Sequence, residues 1–168
     1  KHCVQIHADY TKIIGLAAAG ATNTTLGGFY TDAGGVEFQN CVASGNYNGF
    51  RIAAGVGVAI ENCAAHSNID AGVLLRGCSA CEIRDCLIYD NSKNGVTLWA
   101  DSSKGVDSCL IKESRIYGNS PHGIHLIVYP AASGTKIENC SISEFNRIYG
   151  NDNSGIFVES GADNPALP

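Results

Sequence analysis

Apolar and polar residues alternate along this chain in a segment that returns at a nearly constant interval. Its successive copies begin at Val36, Val58, Cys81, Cys109 and Thr135, which places them 22, 23, 28 and 26 residues apart. Alternation of this kind is the period of a β-strand with one buried face. The recurrence predicts a stack of similar structural units rather than a set of separate domains.

A second recurring segment follows each copy and has the form Gly-apolar-x-apolar. It begins at Gly49, Gly72, Gly95, Gly123 and Gly155, and an asparagine precedes each of these glycines by three or four residues: Asn46, Asn68, Asn91, Asn119 and Asn151. We expect the asparagines to occupy a tight turn with left-handed backbone angles and to hydrogen-bond to the amide in the next unit. We expect each glycine to supply a positive φ where the next strand begins.

Together the two segments predict an all-β fold, a right-handed single-stranded parallel β-helix (solenoid) of about seven coils. Equivalent strands would stack about 4.8 Å apart and pair in parallel, and parallel crossovers are right-handed in nearly all cases. We expect residues 1–168 to form a single domain, with irregular coils over 1–35 and regular repeats over 36–159. Because neither end offers a cap for the open coils, we also expect a fragment of a longer chain.

Charge and hydropathy narrow the range of partners. Only 16% of the residues are charged and the net charge is -5, whereas a nucleic-acid binder needs a basic stripe, so we expect no nucleic-acid partner. No apolar run approaches the ~20 residues that span a bilayer, so we expect no membrane insertion. The sequence does not fix the compartment, although an extracellular or cell-surface location is favoured.

The eight cysteines raise the question of a zinc site or of disulfides, above all at Cys78 and Cys81. Two positions of the coil account for six of them: Cys41, Cys63, Cys86 and Cys140 in one, Cys81 and Cys109 in the other. We interpret them as small core residues. Because a second ligand pair on the same rim is not evident, we expect no metal site and no cofactor.

The outward residues of the second segment include the single tryptophan. They form two columns: Arg51, Leu74, Thr97, His125 and Phe157, then Ala53, Arg76, Trp99, Ile127 and Glu159. The connections after Trp99 and Ile127 are lengthened, and adjacent insertions build a cleft wall, to which Lys104 would also contribute. An exposed aromatic ring flanked by charged hydrogen-bonding groups suits a sugar. The predicted ligand-binding residues are Arg51, Arg76, Trp99, Asp101, His125 and Tyr129.

Two alternatives to a sugar site at these columns stay open. Trp99, Leu74, Ile127 and Phe157 also fit an apolar patch covered by another subunit or by a missing segment. A second aromatic column, His66, Tyr89, Tyr117 and Tyr149 with Arg115 and Arg147 beside it, is either a sugar platform or a ladder that stiffens the sheet.

The strings apolar-x-Ile-x-Asn-Cys and Ile-Tyr-x-Asn-x-x-x-Gly-Ile resemble the right-handed β-helix proteins of the pectin lyase-like superfamily, over residues 36–159. That superfamily includes polysaccharide lyases, glycoside hydrolases, mannuronan C5-epimerases and phage tailspikes. The resemblance therefore implies an acidic or complex glycan as the ligand class.

Activity motifs of the superfamily are matched only in part. The epimerase string Tyr-Gly-x-Asp-Pro-His is approached by residues 117–122, but Ser120 stands in place of the aspartate and Asn119 is already a turn residue. We interpret this match as coincidence or as an inactive site. The paired carboxylates of glycoside hydrolases are not present. For a lyase or epimerase, His125 with Arg76 or Arg51 is the candidate catalytic group.

The preferred interpretation is a polysaccharide-binding β-helix module, with a uronate lyase or epimerase as the parent class. The principal alternative is a non-enzymatic shaft of a tailspike, adhesin or surface protein, and another is a small protein that oligomerises through the Trp99 face. Whether the chain is an enzyme is left open. The expected partners are a polysaccharide or uronic-acid glycan, and a second copy or a capping segment at the open coil ends.

Overall fold

The computed structural model describes residues 1–100, 104–128 and 135–160. Within those residues every regular element is a β-strand. In chain order the strands are β1 (Val4–Ile6), β2 (Lys12–Ile14), β3 (Ala17–Ala19), β4 (Gly27–Thr31), β5 (Glu37–Gln39), β6 (Val42–Ser44), β7 (Asn48–Ala53), β8 (Ala59–Glu61), β9 (Ala64–His66), β10 (Val73–Arg76), β11 (Glu82–Arg84), β12 (Leu87–Tyr89), β13 (Val96–Ala100), β14 (Val106–Asp107), β15 (Leu110–Lys112), β16 (Arg115–Tyr117), β17 (His122–Val128), β18 (Ile137–Glu138), β19 (Ser141–Ser143), β20 (Arg147–Tyr149) and β21 (Ser154–Ser160).

Three long parallel sheets surround one interior. Sheet A consists of β1, β4, β7, β10, β13, β17 and β21, sheet B of β2, β5, β8, β11, β15 and β19, and sheet C of β3, β6, β9, β12, β16 and β20. Each turn of the chain adds one strand to every sheet, and β14 pairs separately with β18. The predicted all-β parallel solenoid is confirmed, but about seven coils is slightly too high, since the described residues form six complete coils and the extra strand β1.

Residues before Val36, for which we expected irregular coils, supply β1 and the first complete coil. Strands β2, β3 and β4 pair in parallel with the corresponding strands of the next coil in sheets B, C and A. Within the described residues, the structure has no helix with the length and apolar character needed to span a bilayer.

The asparagine ladder is formed as predicted. Asn68 Nδ2 donates to Asn91 Oδ1 at 2.9 Å, and Asn91 Nδ2 donates to Asn119 Oδ1 at 2.9 Å. These three side chains are fully buried at the turn between sheets C and A. The expected left-handed angles, however, belong to the residues just before the ladder: Gly45, Ser67, Asp90, Gly118 and Gly150.

The glycines that open the sheet A strands are required for a different reason from the one expected. Gly72 and Gly95 do not have the positive φ values that we predicted. A Cβ atom on Gly72 would instead lie 2.8 Å from Asn91 Nδ2 and 2.8 Å from the carbonyl oxygen of Gly95 in the next coil. The ladder amide and the neighbouring coil occupy the space of a side chain, so close packing excludes every residue except glycine.

The register of the last coil differs from our alignment. Ile137 and Glu138 pair with Val106 and Asp107, while Ser141 pairs with Leu110. The repeat that starts at Cys109 is therefore continued by Cys140, which lies 31 residues later, and not by Thr135. Cys140 accordingly belongs to the column of Cys81 and Cys109 rather than to that of Cys41, Cys63 and Cys86.

The interior is filled by side chains stacked in columns. Near the N-terminal end, Phe29 stacks on Phe50 with ring centroids 4.9 Å apart, and Phe38 meets both rings edge-on. Further along, aliphatic columns such as Ile60–Ile83–Ile111 take over. Because the interior is packed along its length, any ligand site lies on an outer face of the sheets.

Candidate ligand-binding cleft on sheet A

The outer face of sheet A carries the two predicted columns. Strand pairing aligns Arg51, Leu74, Thr97, His125 and Phe157 in one column, and Ala53, Arg76, Trp99, Ile127 and Glu159 in the other. Although they face outward, Leu74, Thr97 and Ile127 are only 3%, 8% and 5% exposed. Their neighbours rise around them, so the sheet forms the floor of a depression.

This depression is a cleft of about 300 Å³. Its floor comes from sheet A, and its lining residues are Tyr47, Asp70, Leu74, Lys93, Asn94, Thr97, Trp99, Pro121, His122, His125, Ile127, Phe157 and Glu159. The lining combines aromatic and aliphatic surface with a few charged and amide groups, which is the usual character of a small-molecule or glycan subsite.

One wall of the cleft is made by the turn that enters sheet A. Tyr47, Asp70, Lys93 and Pro121 each lie two residues before the first glycine of a strand, so they repeat at one position of successive coils. Backbone hydrogen bonds join the first three of them, with Asp70 N donating to Tyr47 O at 2.7 Å and Lys93 N donating to Asp70 O at 3.1 Å. Lys93 Nζ also lies 3.4 Å from Asp70 Oδ1.

At the other side of the cleft the arginines and the tryptophan adjoin one another. The guanidinium carbon of Arg76 lies 4.8 Å from the centre of the Trp99 ring, in a cation–π arrangement. Arg51, one coil earlier, is half-buried, and burial together with the nearby charge of Arg76 lowers its pKa. Two adjacent arginines on a partly desolvated face favour an anion.

His125 is held between two polar side chains. Asn94 Nδ2 lies 3.1 Å from Nδ1 of His125, and because an amide nitrogen only donates, Nδ1 is the acceptor. His125 Nε2 lies 3.2 Å from Glu159 Oε1. Burial lowers the pKa of His125, and the attraction of Glu159 only partly opposes this, so the ring is neutral near pH 7.

His122 stands beside this group with fewer contacts. Its ring stacks on Phe157 with centroids 4.4 Å apart and lies 5.3 Å from that of His125. Burial also lowers the pKa of His122. Among the described residues, neither His122 Nδ1 nor Asn94 Oδ1 has a hydrogen-bond partner, although both atoms are buried. Buried polar atoms in this state are satisfied by water or by a ligand.

The structure brings together only part of the predicted ligand-binding set. Trp99 and His125 line the cleft. Arg76 lies over the Trp99 ring at the edge of the cleft, and Arg51 lies one coil before Arg76, in the neighbouring column. Lys104, expected in the wall, lies instead at the corner after β10, where its Cβ is 2.8 Å from the position that a Cβ on Gly77 would occupy. The predicted residues Asp101 and Tyr129 lie outside the described residues.

The wall residues and two polar groups of the floor escaped the sequence prediction. Asn94 and His122 immediately precede a strand glycine, and the wall residues precede it by two positions. The signal in the sequence that could have identified them is the recurrence of polar or aromatic residues directly before the glycines, as at Gly95 and Gly123. His122 is also the last residue of the incomplete epimerase string, which we interpret as coincidence or as an inactive site.

The second aromatic column is a ladder rather than an open platform. His66, Tyr89, Tyr117 and Tyr149 stack with successive centroid separations of 4.8, 5.2 and 5.1 Å and interplanar angles of 12° or less. Each inner ring therefore has both faces covered by its neighbours. Because a sugar stacks on the face of an aromatic ring, this column stiffens sheet C and leaves the sheet A cleft as the candidate site.

Comparison with known proteins agrees with this architecture. Pectate lyase Pel9A is 16% identical, with a TM-score of 0.56 over 95% of this chain and 55% of its own. The A-module of Azotobacter vinelandii mannuronan C-5 epimerase AlgE6 is also 16% identical, with a TM-score of 0.57 over 96% of this chain and 55% of its own. The chain thus spans about half the length of both. At such low identity these likenesses show the fold alone.

Among curated proteins, no sequence matches the chain significantly. The family model for the right-handed β-helix region matches residues 19–107, which is more than half of the chain. The match covers the first coils and the start of the cleft, and it agrees with the handedness expected from the sequence. With stacked parallel sheets, a continuous asparagine ladder and this match in place, the chain belongs to the right-handed β-helix family.

Proposed function

We propose that the chain is a β-helical module that binds an acidic polysaccharide in the sheet A cleft. The observation that carries the proposal is the combination, on one cleft lining, of Trp99 beneath Arg76 with buried atoms of Asn94 and His122 that have no hydrogen-bond partner among the described residues. Arg76 covers one face of the Trp99 ring, so the apolar contact to a sugar comes from the part of the ring that lines the cleft, while amide and imidazole groups give the sugar hydroxyls hydrogen-bond partners.

Charge supports an acidic rather than a neutral glycan. Burial and the nearby charge of Arg76 lower the pKa of Arg51, and Arg51 Nε is buried without a hydrogen-bond partner in the described residues. A uronate carboxylate is the group that matches a guanidinium fork. Both similar structures, one named a pectate lyase and the other a mannuronan epimerase, support the same ligand class.

Binding is testable through the intrinsic fluorescence of the single tryptophan. We expect oligogalacturonate and oligomannuronate to change the emission of Trp99 saturably, and neutral cello-oligosaccharides to leave it unchanged. Calorimetry on Trp99→Ala should show affinity at least about tenfold weaker, which corresponds to ~1.4 kcal/mol, because the variant loses the ring face.

Tyr149→Ala is the matched control, since Tyr149 is an exposed ring on sheet C, away from the cleft. It should keep the wild-type affinity. Equal binding of neutral and acidic oligosaccharides would contradict the charge argument. Absence of any saturable response would contradict glycan binding. A mass by light scattering that rises with concentration and falls in Trp99→Ala would instead identify the cleft as a contact between copies of the chain.

A second candidate function, proton abstraction from a bound uronate, is favoured by His122. Its ring is neutral near pH 7 and its Nδ1 has no hydrogen-bond partner among the described residues. Nε2 of His125 makes no hydrogen bond there either, but it lies 3.2 Å from Glu159 Oε1, and Nδ1 of His125 is occupied by the amide of Asn94. A general base needs a free lone pair directed at the substrate. Of the two histidines, His122 therefore fits the base better than the sequence candidate His125 does.

For β-elimination, the base takes the proton at C5, the C4–O bond breaks with its electron pair leaving on the oxygen, a C4=C5 double bond forms, and the departing oxygen takes a proton from water. We expect ultraviolet absorbance from this product to rise on incubation with polygalacturonate or alginate, and His122→Ala to abolish the rise. Exchange of the C5 proton without bond cleavage, detected by NMR in D2O, would identify an epimerase. If both assays are negative while the oligosaccharides still bind, the chain is a binding module.

A further inference from the structure

A cluster of cysteine thiols lies inside the solenoid, at the corner where sheet A gives way to sheet B. The sulphur atoms of Cys78, Cys81 and Cys109 all lie within 4.8 Å of one another. Each of the three residues is only 2% exposed. Packing a small core requires cysteine at none of these sites, since Val58 fills the position of Cys81 one coil earlier and Val106 fills that of Cys78 one coil later.

Strand pairing explains why the thiols converge. Leu110 N donates to Cys81 O at 2.8 Å, and Ser141 N donates to Cys109 O at 2.8 Å, so Cys81, Cys109 and Cys140 form one continuous column. Cys78 lies in the connection between β10 and β11, three residues before Cys81, and places a further thiol beside that column. Cys140 is the next thiol along, and its sulphur accepts the N–H of Cys109 at 3.4 Å.

We propose that Cys78, Cys81 and Cys109 bind one zinc ion as thiolate ligands. Cys140, whose sulphur accepts the N–H of Cys109 but lies outside this group of three, is the candidate fourth ligand. With zinc–sulphur bonds of about 2.3 Å, ligand sulphurs in a tetrahedral site are about 3.8 Å apart. The three thiols of the group therefore need to approach one another by about 1 Å or less, which side-chain rotation supplies, whereas the thiol of Cys140 has to move further.

Charge and softness favour zinc over other metals. Thiolates select soft or borderline ions such as Zn²⁺ and Cu⁺ and disfavour Mg²⁺ and Ca²⁺. In an apolar interior the residual charge of the complex is costly. Three thiolates leave a net charge of about one negative unit around Zn²⁺ and about two around Cu⁺, so Zn²⁺ is the better match.

The other cysteine column, Cys41–Cys63–Cys86, lacks this geometry. Its thiols are also buried and stacked, but among the described residues the group of three thiols within 4.8 Å of one another is the one at Cys78, Cys81 and Cys109. That second column therefore provides a matched control of buried, stacked cysteines.

A bound ion would join the corner that borders the cleft. Cys78 follows Arg76 by two residues, and the intervening Gly77 donates its N–H to Trp99 O at 3.1 Å. Zinc would connect the end of the third coil to the starts of the fourth and fifth coils, at the corner that follows Arg76. The site is enclosed, which is the character of a structural zinc site rather than a catalytic one.

The test is metal analysis of the whole chain purified under reducing conditions without chelator. We expect one zinc per chain, a thiolate-to-metal charge-transfer band when Co²⁺ replaces it, and a lower melting temperature after chelation. Cys109→Ser and Cys78→Ser should lose the metal and the effect of the chelator. Cys63→Ala should retain both.

X-ray absorption of the zinc-loaded wild-type chain keeps the proposal testable if the variants do not fold. A shell of three or four sulphurs at about 2.3 Å supports it, while a shell of nitrogen and oxygen overturns it. It is also overturned by a metal-free chain that gives no Co²⁺ band, by equal metal loss in Cys63→Ala, or by a disulfide between Cys78 and Cys81 in mass spectra of freshly purified protein.

Discussion

Replacing the central asparagine of the ladder by alanine, Asn91→Ala, is expected to lower the free energy of unfolding by about 3 kcal/mol. The Oδ1 of Asn91 accepts both the backbone N–H and the side-chain amide of Asn68, at 3.1 and 2.9 Å. Its own amide donates to Ala65 O at 3.1 Å and to Asn119 Oδ1. Alanine leaves the buried N–H of Asn68 without an acceptor and opens a cavity between coils. Chemical denaturation followed by circular dichroism measures the loss.

The matched control is Asn23→Ala, because Asn23 is an exposed asparagine in the turn before β4. It should change the free energy of unfolding by less than about 0.5 kcal/mol. Similar losses in the two variants would show that the ladder contributes little and that sheet pairing and core packing alone hold the coils in register. A large loss confined to Asn91→Ala would assign that role to the ladder.

The sequence was sufficient to predict the fold because every coil is subject to the same physical constraints. Stacking at one strand spacing brings equivalent residues into contact, so an amide at Asn68 needs a partner at Asn91, and the requirement repeats in the chain. Such a repeat is visible without any structure. The physical role of a repeated residue is less visible, as Gly72 shows: its identity was evident, but close approach to Asn91 rather than backbone angle is the cause.

The last coil shows where alternation alone fails. Val106–Asp107 and Ile137–Glu138 each precede a second alternating strand by only a few residues. A period of two fits either strand, and only their spatial pairing decides which is equivalent to Leu110. The wrong register assigned Cys140 to the wrong column. As a result, the continuous row of Cys81, Cys109 and Cys140 could not be recognised from the sequence.

The floor of the cleft was predictable, whereas its wall was not. Trp99 and His125 belong to strands, so alternation fixes the side to which they point. Lys93 and Pro121 belong to a turn, where the direction of a side chain depends on local backbone angles that the sequence does not display. The assignment of Arg51 and Arg76 to ligand binding stays a prediction, and so does the role of the whole set.

The second large effect is expected at Gly95, where alanine should destabilise the fold by about 3 kcal/mol and also disturb the cleft. An added Cβ would lie 2.6 Å from the carbonyl oxygen of Gly123 and 2.9 Å from Asn119 Nδ2. The carbonyl belongs to a paired strand and cannot rotate away, so the coils must separate locally. Because Gly95 N also donates to His122 O at 3.0 Å, the same movement shifts Asn94 and His122.

Gly45→Ala separates this packing effect from backbone strain. Gly45 has a φ of 63°, but no atom of the described residues lies within 4 Å of a Cβ built there, so alanine meets only the left-handed conformation, at a cost of about 1 kcal/mol. We expect Gly95→Ala to be clearly the less stable variant in denaturant titrations. It should also be the one that weakens binding of uronic-acid oligosaccharides, since its neighbours line the cleft and those of Gly45 do not. Equal stability of the two variants would mean that the coils absorb a methyl group by small shifts, and that glycine recurs here without steric necessity.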